Sequence, residues 1–147
     1  MKLPNARNRK RYKEFLKIGF PRIPLSKDTR SFEKLTELGK ELIRIHTMTT
    51  NDSTGIDIYT PIITDRTIQK YHHENNRLYL NKVSYIENVP TEIWDMFIGG
   101  YQPVQKWLKE RKGRPISDEE ITSLRRIIYI LRETSEIMPK IDAAYDE

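Results

Sequence analysis

Lys106, Lys109 and Lys112 recur every third residue, with Arg114 just beyond, and their spacing has an evident chemistry. At about 100° per residue, a helix over 103–112 sets these lysines opposite Val104, Trp107 and Leu108. Glu110 is the acid among them. Cations carried on the outer side of an anchored helix can neutralise phosphates, which adds affinity without reading sequence. The bland alternative is an ordinary solvated helix face. Arg111 lies inside the apolar arc, so an ion pair and a DNA contact fit it equally well. Tyr101 and Gln102 follow Gly99-Gly100, where a backbone can come close to a ligand. They are further candidates, although packing at a strand–helix junction would also explain them. A second basic group is Arg7, Arg9, Lys10 and Arg11, within a stretch over 2–22 that Glu14 alone opposes. Tyr12, Phe15, Leu16 and Ile18 are interleaved there at roughly helical spacing. A nucleic-acid-binding arm and a helix with a solvated basic face both fit this pattern.

Other chemistries find little support. His72-His73-Glu74 has metal-ligand residue types, but neighbours on a strand point to opposite faces and do not readily share an ion. His46 is the remaining histidine. An exposed hairpin tip is the better reading. The chain has no cysteine, which removes disulfides, thiolate zinc sites and cysteine nucleophiles together. It has no Gly-rich phosphate loop and no Gly-x-Gly-x-x-Gly. It also lacks the Asp/Asn-Pro-Pro-aromatic segment that would hold a flipped adenine. Serine, histidine and acid are too scattered for a triad, and the carboxylates are interleaved with basic residues on helix faces. The expectation is a chain without catalysis, metal or cofactor of its own.

The 147 residues suffice for one domain with a hydrophobic core. Apolar residues make up 37% and charged residues 32%, which suits a folded rather than a disordered chain. Lys and Arg exceed Asp and Glu by 26 to 21, a net charge of +5 that permits nucleic-acid binding without requiring it. The start shows no apolar stretch of the signal-peptide kind, and no run long enough to span a membrane occurs. A cytoplasmic setting is expected.

These side chains need elements to position them. Phe20-Pro21-Arg22-Ile23-Pro24 must be extended, because each proline pushes the residue before it out of the helical region. A helix is expected over about 31–46, starting from Asp28 or Ser31, with Phe32, Leu35, Leu38, Leu42 and Ile45 as a core-facing stripe. Residues 47–65 read as a loop, with a short strand near 56–59. A hairpin follows: 67–71 as one run, Glu74-Asn75-Asn76 as the turn, and 77–85 as the return. Trp94, Met96 and Ile98 alternate over 92–98 and predict a strand. Pro103 fits the first position of the helix over 103–112, which Gly113 ends. Ser117-Asp118-Glu119-Glu120 is a capping box, with Ile116 and Ile121 placed as a hydrophobic staple. It opens a long helix over 118–138 that Pro139 should kink or end. Trp107 is expected to anchor near Ile127, Ile128 or Leu131. The expected fold is therefore α+β, a small antiparallel sheet flanked by helices with a long C-terminal helix.

The order FPRIP, FEKLTELGKELIRIHTM, VPTEIWDMFIGGYQPVQKWLKERKGRPIS and IMPKID resembles one family. It is the C-terminal specificity, or target-recognition, domain of single-chain type ISP restriction-modification enzymes and related fused DNA adenine methyltransferases. The resemblance spans roughly residues 20–142, and its GGYQPVQKWLKERKGR block is long and specific. It divides the chain into a basic segment over 1–19 and the C-terminal part of a recognition domain over 20–147. It implies double-stranded DNA as partner, a methyltransferase domain or subunit alongside, and S-adenosylmethionine as cofactor of the parent enzyme only. Complete relatives have a longer recognition domain, so further base-reading residues are expected upstream. The helix end IHTM and the loop over 47–65 depart from the family pattern.

Two readings follow. In one, the chain is a DNA-binding target-recognition module. In the other, the GGYQP block and long helix are a structural coupler that docks recognition and methyltransferase domains together. A third, a small nuclease, lacks the convergent acid–lysine cluster it would need.

Overall fold

The computed structural model describes residues 28–48 and 53–146, and the chain forms two compact units. The segment 1–19, with Arg7, Arg9, Lys10 and Arg11, the boundary at residue 20, and the extended Phe20–Pro24 lie outside the described residues. One unit is 51–132, and the other joins residues up to 50 with 133–147.

The 51–132 unit is built on four short strands, β1 (Pro61–Ile62), β2 (His72–Glu74), β3 (Arg77–Tyr79) and β4 (Tyr85–Ile86), antiparallel in the order β1-β4-β3-β2. Asn75 and Asn76 close the β2–β3 hairpin with φ of 51° and 56°. Two consecutive left-handed residues make the turn whose twist matches flanking strands, and asparagine tolerates that conformation. His73 pairs with Leu78, and Leu78 and Ile86 are fully buried in the core.

The return over 77–85 is not one strand. It breaks after Tyr79 at a turn made by buried Asn81 and Ser84. The Asn81 amide donates to the carbonyls of Asp65 and Thr67 at 2.9 and 2.8 Å, and its oxygen accepts from the Val83 and Ser84 N–H groups. The Ser84 hydroxyl accepts from the Thr64 and Asp65 N–H groups and donates to the Asp65 carbonyl. Both buried side chains are fully partnered, so they clamp the 64–67 loop instead of destabilising the core.

Three further sequence expectations need correction. The paired hairpin arm is β2 and not the 67–71 run, which meets the return where the Gln69 N–H donates to the Leu80 carbonyl at 2.9 Å. Thr67 bridges Pro115, and Ile68 exchanges backbone hydrogen bonds with Gly113 and Arg114. The strand expected near 56–59 does not form there: Ile56 and Asp57 belong to a short helix, α2 (Ser53–Asp57), and the strand β1 begins only at Pro61. The Arg125 guanidinium caps the end of α2 by donating to the Ile56 and Tyr59 carbonyls and to Asp57. The strand expected over 92–98 is a single helical turn, α3 (Thr91–Trp94), preceded by Pro90. The buried pair here is Ile93 with Met96 just past the helix, a three-residue spacing, whereas Ile98 is exposed.

Helix α4 (Pro103–Glu110) and the start of α5 (Asp118–Asp146) complete this unit. One buried cluster joins Leu78, Leu80, Ile86, Ile93, Val104, Trp107, Leu108, Leu124, Ile128 and Leu131. Trp107 thus shares a core with the α5 residues expected to receive it. The capping box forms as expected: the Ser117 N–H donates to Glu120 at 3.1 Å, and the Glu120 N–H donates to the Ser117 hydroxyl at 3.2 Å. Ile116 and Ile121 are both buried in the cluster.

In the other unit, helix α1 (Thr29–Thr47) starts at Asp28. The Asp28 carboxylate accepts from the Ser31 N–H at 2.9 Å, and this bond holds its pKa below the ordinary aspartate value. Met48 closes the helix in the left-handed conformation. The α1 stripe is less buried than core scaffolding would be: Leu35, Leu38, Leu42 and Ile45 are half-buried, and Phe32 is exposed. The His46 ring lies 3.0 Å from the Thr134 hydroxyl. Pro139 does not end α5, which runs on to Asp146. The proline removes one rung of the ladder without ending the helix.

Candidate nucleic-acid interface

Helix α4 opens with Pro103 at its first turn after Gln102 as N-cap, and Gly113, with φ 87°, turns the chain just past its end. Val104 and Leu108 are fully buried and Trp107 nearly so, which fixes the rotation of the helix. Lys106, Lys109 and Lys112 are consequently exposed. Their surroundings differ. The Lys106 ammonium lies 4.4 Å from the centre of the Tyr101 ring and 3.9 Å from Glu110. Lys109 and Lys112 have no ion-pair partner among the described residues.

The two arginines are engaged. Arg114 grips Glu120 with both terminal nitrogens, at 2.6 and 3.0 Å. Arg111 donates to the same carboxylate at 3.0 Å and lies 4.1 Å over the Trp107 ring. Arg111 thus makes the ion pair that its place in the apolar arc allowed. Glu120 therefore accepts from two guanidinium groups and from the Ser117 N–H. The Arg114 hydrogen bonds, then the Ser117 N–H, then Arg111 push its pKa down to about 2.

Ahead of α4 the chain makes a tight turn. Ile98 and Tyr101 exchange backbone hydrogen bonds at 3.0 and 3.5 Å across Gly99-Gly100. Gly99 has φ 62°, and a side chain at either glycine would meet nothing within 4 Å, so the tip projects into open space. Phe97 and Tyr101 flank it, 57% and 47% exposed. An open concavity of about 580 Å³ lies alongside, lined in part by Tyr71, Phe97, Tyr101, Gln102, Gln105 and Lys109. Gln102 and Gln105 are half-buried, and each donates one amide N–H to a carbonyl of the α3 region, Asp95 at 3.4 Å and Trp94 at 3.3 Å. The fold thus gathers Tyr101, Gln102, Lys106 and Lys109 on one surface, with Lys112 and Arg114 after the helix. The sequence matches the family described as the Type ISP C-terminal specificity domain over residues 4–140. The chain belongs to that family.

The specificity domain of such enzymes is their target-recognition part in restriction-modification. No curated protein and no solved structure matched this chain. Within the domain, the histidine pair is taken up by the sheet. His72 stacks on Tyr79 at 4.6 Å with its Nδ1 3.2 Å from the Lys70 carbonyl. His73 turns to the other side, its Nε2 2.7 Å from the Val89 carbonyl and its ring 6.0 Å from that of Trp94. Among the described residues, no three His, Asp or Glu side chains are disposed to hold a metal. No helix among them is long and apolar enough to cross a membrane. Sequence reading passed over Gln105. The available signal was its place three residues after Gln102 and four before Lys109, which puts all three on one helical face.

Proposed function

We propose that this specificity domain contacts double-stranded DNA through the exposed face of α4 and does no chemistry itself. Lys106, Lys109, Lys112 and the following Arg114 form one edge of that surface, and Arg7, Arg9, Lys10 and Arg11 are further phosphate-contact candidates by charge alone. The supporting observation is the exposure of the three lysines opposite fully buried Val104 and Leu108. Lys109 and Lys112 should contribute most, since no acid among the described residues neutralises either. Arg114 contributes less, because reaching a phosphate means leaving Glu120. On this reading, methyl transfer from S-adenosylmethionine belongs to a methyltransferase domain or subunit of a cytoplasmic restriction-modification enzyme.

A salt series tests the proposal. Replacing Lys106, Lys109 and Lys112 with alanine should weaken binding to duplexes of any sequence about equally, because groups that touch phosphate position a protein without reading bases. The slope of log K against log salt should flatten by about 0.9 for each phosphate no longer neutralised. The melting temperature should hardly move, because the side chains are exposed. An unchanged affinity and slope would reduce the lysines to plain surface. The coupler reading would then lead, and it has a surface of its own: Phe97 and Ile98 are exposed beside the Gly99-Gly100 turn, an apolar edge suited to another domain.

A further inference from the structure

We infer that α4 is also the base-reading element of this domain, with Gln102 and Gln105 addressing adenine edges in the major groove. The inference rests on the DNA-binding reading above and adds a source of sequence preference. Gln102, Gln105, Lys106 and Lys109 stand at spacings of three, four and seven, which places them on one face of the helix. That face is opposite buried Val104, Trp107 and Leu108, so the helix cannot turn it inward without exposing its anchors.

The chemistry divides along the face. Ammonium groups are suited to phosphates, whereas a glutamine amide offers a donor and an acceptor side by side, the pattern that matches N7 and N6 of adenine. Each amide spends one N–H on a main-chain carbonyl, at 3.4 Å for Gln102 and 3.3 Å for Gln105. That bond orients the amide while its oxygen and second N–H remain for a ligand. Neither glutamine side chain has another hydrogen-bond partner among the described residues.

Shape agrees with this division. A helix is about 10–12 Å across with its side chains, which matches the roughly 12 Å width of the major groove. The amides sit at the N-terminal end of α4 and Lys109 lies a turn further on, so bases and phosphates can be met at once. The Gly99-Gly100 tip meets nothing within 4 Å where a side chain would stand, which leaves the approach of a DNA backbone clear. Glu110 is the unfavourable group on this edge. It lies 3.9 Å from Lys106, which offsets part of its repulsion of phosphate.

The test is selection of a random-sequence duplex pool by the full chain, repeated with Gln102→Ala, Gln105→Ala and Lys109→Ala. The parent should enrich at least one adenine position, and one glutamine variant should lose that preference. Affinity for the enriched duplex should fall on the order of tenfold, the effect of removing one bidentate amide–adenine pairing. Lys109→Ala should bind more weakly with the preference intact. Replacing the enriched adenine with 7-deazaadenine, which lacks the N7 acceptor, should weaken the parent and leave that glutamine variant unaffected. If the pool binds with a salt-dependent affinity but the glutamine variants keep the parent's preference, or no adenine position is enriched, the base-reading role is overturned and the phosphate-binding role stands. If the pool does not bind at all, both fall.

Discussion

Glu120 shows how one side chain can set the edge of the site. Its carboxylate closes the capping box of α5 and also holds Arg111 and Arg114, so the end of α4 and the start of α5 share one acceptor. With a folded pKa of about 2 against an ordinary 4.5, the charged form is favoured by folding. For a depressed carboxylate, that stability is fully present above the unfolded value and is lost as pH falls through the folded one. The window is therefore about pH 4.5 down to 2. Glu120→Gln should melt below the parent at pH 7, and the gap between them should close as pH falls through that window. A gap that stays constant in thermal melts across this range would mean the ion pairs contribute nothing. The same substitution releases Arg114, so it should also strengthen salt-dependent DNA binding if that arginine reaches phosphate.

Elements were legible where their signals were local. Asp28 at the head of α1, Asn75-Asn76 in the hairpin, Pro103 at the start of α4 and the Ser117–Glu120 box each act within a few residues, and all four appear as read. The 92–98 segment misled because Trp94, Met96 and Ile98 alternate, although Ile93 and Met96 are the residues that go inside. One helical turn is too short to show a 3.6-residue period against that alternation. The long-range ties were not legible: Asn81 and Ser84 look like loop residues until Asp65 and Thr67 are brought to them. Of the site, the lysine face was readable from the wheel, whereas the amide anchoring of Gln105 depends on α3 lying beside α4. Two glycines separate local from long-range causes. Gly113→Ala forces an alanine to φ 87° with nothing nearby, and should cost about 1 kcal/mol for the backbone alone. At Gly55 a Cβ would overlap the Tyr129 ring, so Gly55→Ala should cost about 1–3 kcal/mol through overpacking. Adding Tyr129→Leu should recover stability in the second case and not in the first, as read by urea titration.

Over the whole molecule, burial is uneven, and this bears on how the domain unfolds. The contiguous apolar cluster lies within 51–132, where Trp107 joins strands and helices in one core. In α1, by contrast, Ser31 is the buried residue and the apolar stripe is only partly covered. Protection against hydrogen exchange follows burial, so amides of α1 should exchange through local opening well before those of β3, β4 and α4. Trp107→Ala sharpens the contrast. Removing a nearly buried indole should destabilise the cluster by about 3–5 kcal/mol. Native-state exchange read by mass spectrometry should then show much weaker protection in 51–132. The α1 amides should hardly change, because their opening does not pass through that core. If α1 and the cluster instead lose protection in step, the chain unfolds as one cooperative body. In that case a substitution at Trp107 would disturb every surface of the domain together, and weaker DNA binding in such a variant would say nothing about α4 itself. The substitutions at half-buried Gln102 and Gln105 and at the exposed lysines avoid that ambiguity, because they leave Val104, Trp107 and Leu108 in place.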